Sequence, residues 1–352
     1  MNTYRVDPAI AEGAGYTIVE NASLEGRNTF HVPARAALLV DVRKREALGE
    51  LFGFAALKSQ PLLVLGEGSN ILFTRDWPGV VLSIGARGIA IIDSDGDRAR
   101  VRVEAGENWN DFVHWSLAQG FSGLENLVAI PGTVGAAPIQ NIGAYGVEVR
   151  DFVYRVEAWD RTEARLASLD NGECAFAYRD SLFKRAPDRH VITAVEFELP
   201  RRRELRLDYA GVREELAALG VAEPRPASVA EAITRIRMRK LPSPVVIGNA
   251  GSFFKNPLIP LAQAESLRGD HPSIPSWPAG EGVAKMSAAW LVEACGFKGL
   301  REGDAGVSKD HALVLVNHGK ATGAQIHALA RRIQAEVSAR FGIELQPEPL
   351  IV

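Results

Sequence analysis

Apolar positions fall first into a strand–helix–strand alternation. Residues 37–40 form a short apolar run, and from 43 to 57 the apolar residues Ala47, Leu48, Leu51 and Phe54 recur at the spacing of one helical face. Pro61-Leu62-Leu63-Val64-Leu65 reads as a buried strand. Strands are then predicted at 79–84, 89–92 and 98–104, where Val101 and Val103 alternate with Arg100 and Arg102. Asn108 is placed to cap a helix that uses Phe112, Val113 and Leu117 and stops at Gly120. Strands resume at 154–159 and 191–199, and a shift in composition at 200–204 suggests a boundary. Beyond it, Ser228 with Glu231 makes a capping box for a helix bearing Val229, Ala232, Ile233 and Ile236. A second helix is expected at 286–295, closed by Gly296, then a strand at 313–317. The last helix, 323–340, carries the core-facing stripe Ile326, Leu329, Ile333 and Val337. There is no internal repeat, and the mixture reads as α+β.

Length and composition narrow the class. A chain of 352 residues exceeds one ordinary core, so two or three domains are expected. With 47% hydrophobic and 24% charged residues the composition is that of a globular protein. A net charge of −3 offers no field for nucleic acid or an anionic membrane, and Arg201-Arg202-Arg203 reads as solvated surface. Cys174 and Cys295 have no Cys or His at ligand spacing, so buried reduced thiols are expected and no metal. The segment from Met1 to Asp7 lacks the pattern of a signal peptide, and no apolar run approaches about 18 residues. A cytoplasmic location is the expectation.

Two glycine-rich segments could carry chemistry. Gly66-Glu67-Gly68-Ser69-Asn70 comes directly after a buried strand and half-matches a dinucleotide fingerprint, but Ile71 stands at the third glycine position. The residues after Asn70 read as strand, leaving a tight turn whose N–H groups can converge on an anion, or an ordinary turn. The stretch 123–146 is rich in Gly, Ala, Pro and Asn without apolar period. A structureless segment of that length inside a domain is usually functional. Within it, Ile130-Pro131-Gly132-Thr133-Val134-Gly135 and Gln140-Asn141-Ile142-Gly143-Ala144-Tyr145-Gly146 let a flat ligand or a phosphate approach the backbone. Gln140 and Asn141 add amides suited to a heterocycle edge. Two such loops suit a dinucleotide.

Three further segments offer reactive groups. Tyr178-Arg179-Asp180-Ser181 carries a guanidinium that stays charged and pairs bidentately with carboxylates. In Gly248-Asn249-Ala250-Gly251-Ser252-Phe253-Phe254-Lys255-Asn256-Pro257, Ser252 is either a proton donor or a helix cap. Glu348, between Pro347 and Pro349, is either a buried carboxyl with a raised pKa or a solvated tail residue. Reaction type does not follow from these residues alone.

Together, and in this order, these segments resemble the UDP-N-acetylenolpyruvoylglucosamine reductases, from Asn28-Thr29-Phe30 to Glu348. The combination of residues 130–146, 178–181 with Phe183-Lys184, and 248–257 carries the resemblance. It implies an FAD-binding fold of the vanillyl-alcohol-oxidase (PCMH) type plus a C-terminal α+β substrate domain. The implied division is 1–65 and 66–200 for two FAD-binding subdomains and 201–341 for UDP-sugar, with the tail 342–352 returning to the first. FAD, held non-covalently, would contact Gly66, Glu67, Gly68, Ser69, Asn70, Ile130, Pro131, Gly132, Thr133, Gly135, Gln140, Asn141, Gly143, Ala144 and Tyr145. Arg179, Ser252 and Glu348 would form the reaction centre. Tyr178, Tyr209, Lys240, Asn256, Trp277 and Lys285 would contact substrate. The segment 258–282 looks like the extra loop of the family's first subtype, with Trp277 where the family has tyrosine; an indole donates a hydrogen bond but cannot accept one.

The implied reaction is ping-pong. NADPH reduces FAD and leaves. Hydride from flavin N5 then reaches the methylene carbon of the enolpyruvyl ether, while Arg179 and a protonated Glu348 stabilise enolate charge and Ser252 delivers a proton. The product is UDP-N-acetylmuramate, a precursor for peptidoglycan. The expected partners are UDP-sugar and NADPH, without nucleic acid or membrane insertion, in a monomer. An oxidase of the same fold acting on an alcohol, and a non-catalytic nucleotide-sugar binder, are the competing readings. Covalently flavinylated oxidases use a histidine in the flavin loops, and neither 66–70 nor 130–146 holds one.

Overall fold

The computed structural model describes residues 10–209 and 211–352; residues 1–7, on which the signal-peptide expectation rests, lie outside them. The described chain divides into two compact units, one of residues 10–22, 36–67 and 77–237, the other of 23–35, 68–76 and 238–352.

The first unit holds two five-stranded sheets. One runs in the order Ile10–Gly13, Tyr16–Ser23, Arg35–Val42, Trp77–Ile84, Leu62–Val64. Its parallel pairs, Leu38↔Val80 and Leu63↔Val81, follow from crossover connections on the chain between them. The other is antiparallel throughout, in the order Arg165–Asp170, Val153–Asp160, His190–Pro200, Arg98–Glu104, Ile89–Ser94. His190–Pro200 is central, and Val191, Val195, Phe197 and Leu199 are fully buried in it. Against this strand lies the helix Trp109–Ala118, with Phe112 and Phe197 ring centroids 4.8 Å apart. Asn108 caps it as expected, its side chain accepting from Asp111 N at 3.0 Å, and Gly120 beyond its end takes φ +79°. Each such aromatic buried contributes roughly 1.5–3 kcal/mol.

Two helix expectations are corrected. Residues 43–57 are not one helix: a 3-10 turn at Arg45–Ala47 leads into Leu48–Leu51, and a separate short helix, Ala55–Ser59, comes next. Phe54 is extended (φ −70°, ψ 138°), and Gly53 turns so tightly that a Cβ there would lie 2.9 Å from Glu50 O. Ala47, Leu48 and Leu51 are buried, so the apolar stripe is real, but two glycines (49 and 53) remove the propensity to carry it further. The capping box at Ser228 is also absent. The helix begins at Pro226, which favours the first helical position, and Ser228 lies inside it with its hydroxyl bonded back to Arg225 O (2.8 Å) and N (2.9 Å). Val229, Ala232, Ile233 and Ile236 are buried as expected.

In the second unit a four-stranded sheet runs Gly248–Ser252, Val314–Asn317, Ala305–Val307, Arg301–Glu302. The helix Gly323–Phe341 starts with a capping box between Thr322 and Gln325 and ends at Gly342 (φ +63°); its stripe of Ile326, Leu329, Ile333 and Val337 is buried. The helix expected over 286–295 is shorter, Ala288–Ala294, because Met286 closes the strand Val283–Met286 and Ser287 caps the helix. Leu258–Pro260, Val283–Met286 and Ser276–Pro278 make a three-stranded antiparallel sheet. The C-terminal Leu350–Ile351 pairs in parallel with Ile71–Leu72, the strand anticipated after the 66–70 turn. Among the described residues no helix is long and apolar enough to cross a membrane.

Candidate functional site

Within the first unit, Gly66 and Glu67, which open the first glycine-rich segment, are fastened to the second segment. Glu67 accepts from Asn108 Nδ2 at 2.7 Å and from Gly132 N at 3.0 Å, so its carboxylate ties the 66–70 turn to the 130–146 loop and to the helix cap. A Cβ on Gly66 would sit 2.9 Å from Thr133 Oγ1, and one on Gly135 would lie 2.6 Å from Ala105 Cβ; both glycines are required by close approach. Gly132 takes φ +122°. Among the described residues, no protein group accepts from the backbone N–H of Gly66, Glu67 or Thr133. Three main-chain donors without a protein acceptor therefore lie on two segments that meet at Gly66 and Thr133. Such a set fits an anion.

Farther along the loop, Asn141 proves to be an internal strut. It is fully buried at φ +46°, donates to Glu148 Oε2 and Ala177 O (both 3.0 Å), and accepts from Arg150 N (3.1 Å). Its side chain holds the loop rather than reaching out of it. Gly143-Ala144 and Val147-Glu148 form a small hairpin turned by Tyr145 (φ +48°) and Gly146 (φ +79°). Arg179, itself at φ +55°, donates from Nη2 to Gly143 O at 2.7 Å; its own carbonyl accepts from Lys184 Nζ at 3.0 Å. The fully buried Ser181 caps the next helix by accepting from Lys184 N, and it donates to Ile139 O at 2.6 Å. This positions the Tyr178–Ser181 segment on the loop. The guanidinium of Arg179 also lies 5.3 Å from the centre of the Tyr178 ring.

The Tyr145 ring packs edge-on against Tyr209, 5.0 Å away, and Asn126 Nδ2 donates to Tyr145 O at 2.9 Å. Burial raises the phenol pKa of Tyr145. Arg237, which no sequence motif singles out, donates from Nε to Ala129 O at 3.2 Å and sets its guanidinium beside the Tyr145 phenol. Burial pulls the Arg237 pKa down, although the residue as a whole is only half-buried. In Arg235-Ile236-Arg237-Met238-Arg239-Lys240 it looks like one of several surface cations; nothing in that run marks it.

In the second unit the Gly248–Ser252 strand is held from below. A Cβ on Gly248 would lie 2.3 Å from Phe30 O, and Asn249 bonds to Pro242 O, Ile247 O and Gly251 N. Gly251 takes φ +68°, and the register shifts between Asn249 and Ser252, so Ser252 ends the strand on an irregularity. Ser252 is therefore a half-buried strand residue, and the helix-cap alternative falls. Glu348 is not a loose tail residue: its N–H donates to Phe253 O at 2.8 Å and its carbonyl accepts from Asn70 Nδ2 at 3.3 Å. The hydroxyl of Ser252 and the carboxyl of Glu348 thus project from adjacent extended segments. Asn256 Oδ1 accepts from Ala288 N at 3.0 Å, the first N–H of the helix that Ser287 caps. Trp277 is paired in register with Lys285, whose Nζ lies 5.9 Å from the indole centre. Lys240 is exposed at the end of its helix, and Tyr209, in the first unit, is half exposed.

Known proteins match these two units. The FAD binding domain family matches residues 36–166, and the C-terminal domain of UDP-N-acetylenolpyruvoylglucosamine reductase matches 243–352. The UDP-N-acetylenolpyruvoylglucosamine reductase of Xanthomonas euvesicatoria pv. vesicatoria (strain 85-10) is 54% identical over 339 residues, 96% of this chain and 97% of that protein. The reductase of Xanthomonas oryzae pv. oryzae (strain KACC10331 / KXO85) is 55% identical over 334 residues, 95% and 98% of the two chains. The crystal structure of UDP-N-acetylenolpyruvylglucosamine reductase (MurB) from Thermus caldophilus overlays with a TM-score of 0.66 at 26% identity, covering 98% of this chain and 99% of that one. The α+β architecture is accordingly an FAD-binding fold of the vanillyl-alcohol-oxidase type followed by a reductase C-terminal domain. On identity sustained over nearly its whole length, the chain belongs to the UDP-N-acetylenolpyruvoylglucosamine reductase family.

Proposed function

We propose that this chain reduces the enolpyruvyl ether of UDP-N-acetylglucosamine to UDP-N-acetylmuramate, with FAD as cofactor and NADPH as reductant, in two half-reactions. The observation that carries the reading is 54% identity to a named reductase over 96% of the chain. The retained geometry agrees with it. The free N–H groups of Gly66, Glu67 and Thr133 fit the pyrophosphate of FAD, and the close approach of Gly66 to Thr133 sets the two segments side by side. Bound FAD supplies the hydride. The division into two FAD subdomains and a substrate domain belongs to this proposal; the two sheets of the first unit support it.

The protein's own residues then have separable tasks. Arg179, fixed by Gly143 O and by its left-handed backbone, presents a permanent cation to the substrate carboxylate, where enolate charge grows after hydride reaches the methylene carbon. Glu348 supports that same carboxylate from a backbone pinned at Phe253. Ser252 gives its hydroxyl proton to the carbon bearing the carboxylate, and solvent restores it; a weak acid suffices because a carbanion is strongly basic. Tyr178, Tyr209, Lys240, Asn256, Trp277 and Lys285 contact the sugar and diphosphate, with 258–282 as the first-subtype loop. Trp277 in place of a tyrosine removes an acceptor from that loop.

The test is assay of purified protein for FAD content and for NADPH oxidation that depends on the enolpyruvyl UDP-sugar. Colourless protein that refuses added FAD contradicts the proposal. Rapid oxygen consumption without any UDP-sugar would instead establish the oxidase reading.

A further inference from the structure

We propose that His190 is a positioning residue for Arg179: its ring seats the short helix that holds the turn bearing that guanidinium. This rests on the reading above, in which Arg179 meets the substrate carboxylate.

Ala177 and Asp180 exchange backbone hydrogen bonds at 3.0 and 3.2 Å, so Tyr178 and Arg179 form the tip of a tight turn. Arg179 sits there at φ +55°, a left-handed conformation that a residue with a side chain keeps only where its surroundings enforce it. The helix Leu182–Arg185 supplies that enforcement. Lys184 Nζ donates to Arg179 O at 3.0 Å, and Arg185 pairs with the Asp180 carboxylate and donates from Nη2 to Ala175 O at 2.9 Å. The turn is thus tied to a helix of four residues, too short to persist on its own hydrogen bonds. The buried side chain of that helix is Phe183.

The Phe183 ring packs edge-on against His190, with centroids 5.7 Å apart at 83°. His190 is buried at the start of the strand His190–Pro200, in register with Asp160 on the neighbouring strand, so the seat belongs to the sheet. Polar contacts do not account for an imidazole in this place. Its Nδ1 is buried without a hydrogen-bond partner among the described residues, and Nε2 lies 3.5 Å from Asp160 Oδ2, long for an N–H···O bond. Asp160 is satisfied without it, accepting from Arg189 Nε (3.2 Å) and Nη2 (3.0 Å), Thr162 N (2.9 Å) and Glu163 N (3.1 Å). What His190 contributes is the flat surface against Phe183.

The experiment compares FAD-loaded wild type with His190→Phe and His190→Gln. Phenylalanine keeps the ring and drops the Asp160 contact; glutamine keeps a polar group for Asp160 and drops the ring. Circular dichroism and thermal unfolding establish that each variant is folded. In H190Q, reoxidation of the reduced flavin by saturating enolpyruvyl UDP-sugar should slow by about tenfold or more, because the guanidinium is no longer held in place. Flavin bleaching by NADPH should stay within about twofold of wild type, as should binding of UDP-N-acetylglucosamine, which lacks the carboxylate that Arg179 meets. H190F should keep reoxidation within about threefold of wild type. Phe183→Leu, which removes the same ring contact from the helix side, should repeat the H190Q pattern and decides the matter if H190Q does not fold.

Unchanged reoxidation in H190Q and F183L overturns the assignment, and so does H190F falling as far as H190Q. Equal loss of NADPH bleaching, UDP-N-acetylglucosamine binding and reoxidation overturns it in favour of a general structural role. Wild type that binds no FAD, or that the sugar does not reoxidise, overturns the reading on which it rests. Wild type that turns over beside an equally active H190Q overturns this inference alone.

Discussion

The roles proposed for Ser252 and Glu348 rest on backbone placement. Ser252 ends a strand beside the left-handed Gly251, and Glu348 is pinned through Phe253 O. Ser252→Ala should therefore leave flavin bleaching by NADPH intact and slow product formation by about 10²–10⁴. Stopped-flow absorbance separates the two halves; wild-type turnover would reduce Ser252 to a strand residue. Glu348→Gln keeps the shape and the main-chain bonds but removes a carboxyl, so FAD should stay bound while the second half-reaction slows by about 10²–10³. Unchanged turnover would remove Glu348 from the site. These residues were legible as candidates because small, strained or proline-flanked settings surround them. The contacts of Arg237 were not, because Ala129 and Tyr145 lie about a hundred positions away in sequence and its own helix reads as a charged surface.

At the scale of elements, local chemistry competes with tertiary demand. The long C-terminal helix was legible because capping, stripe and closing glycine all agree. The helix expected over 43–57 failed because its stripe ignored two glycines, and the Ser228 box failed because Pro226 starts the helix two residues earlier. Arg165–Asp170, an edge strand, and Tyr16–Ser23, which lies between Ile10–Gly13 and Arg35–Val42, were missed since their many exposed residues leave no clean apolar alternation. The glycine-rich loop was visible as functional, yet the use of Asn141 as an internal strut was not.

Asn108 joins an element to the site, since its oxygen caps the Trp109–Ala118 helix and its amide holds Glu67. Asn108→Ala should cost about 1 kcal/mol in chemical denaturation. Asn108→Asp keeps the cap oxygen but sets a second carboxylate against Glu67. It should be no more stable than the alanine variant at low salt and should recover as salt rises. If aspartate matches wild type at low salt, the Glu67 tie carries no weight.

Across the whole molecule, burial holds His311 and His190 below the ordinary 6.5, against the pull of nearby carboxylates. The unfolded chain binds those protons more readily than the folded one. The stability from keeping them neutral is fully present above pH 6.5 and is lost as pH falls through that value. The urea midpoint should therefore drop between pH 7.5 and 5.5, and His311→Gln should flatten part of the drop; an unchanged slope in that variant would show that His311 is not responsible. Of the residues with proposed roles, the 130–146 loop and Arg179 belong to one unit and Ser252 and Glu348 to the other.

Rapid mixing under anaerobic conditions tests that joint function most directly. NADPH is added to the FAD-loaded protein until the flavin absorbance bleaches, and the reduced protein is then mixed with the enolpyruvyl UDP-sugar or, separately, with air. The account predicts prompt recovery of the flavin bands with the UDP-sugar, one equivalent of UDP-N-acetylmuramate formed per flavin, and much slower recovery in air. Recovery in air faster than with the sugar, or recovery without that product, would contradict it.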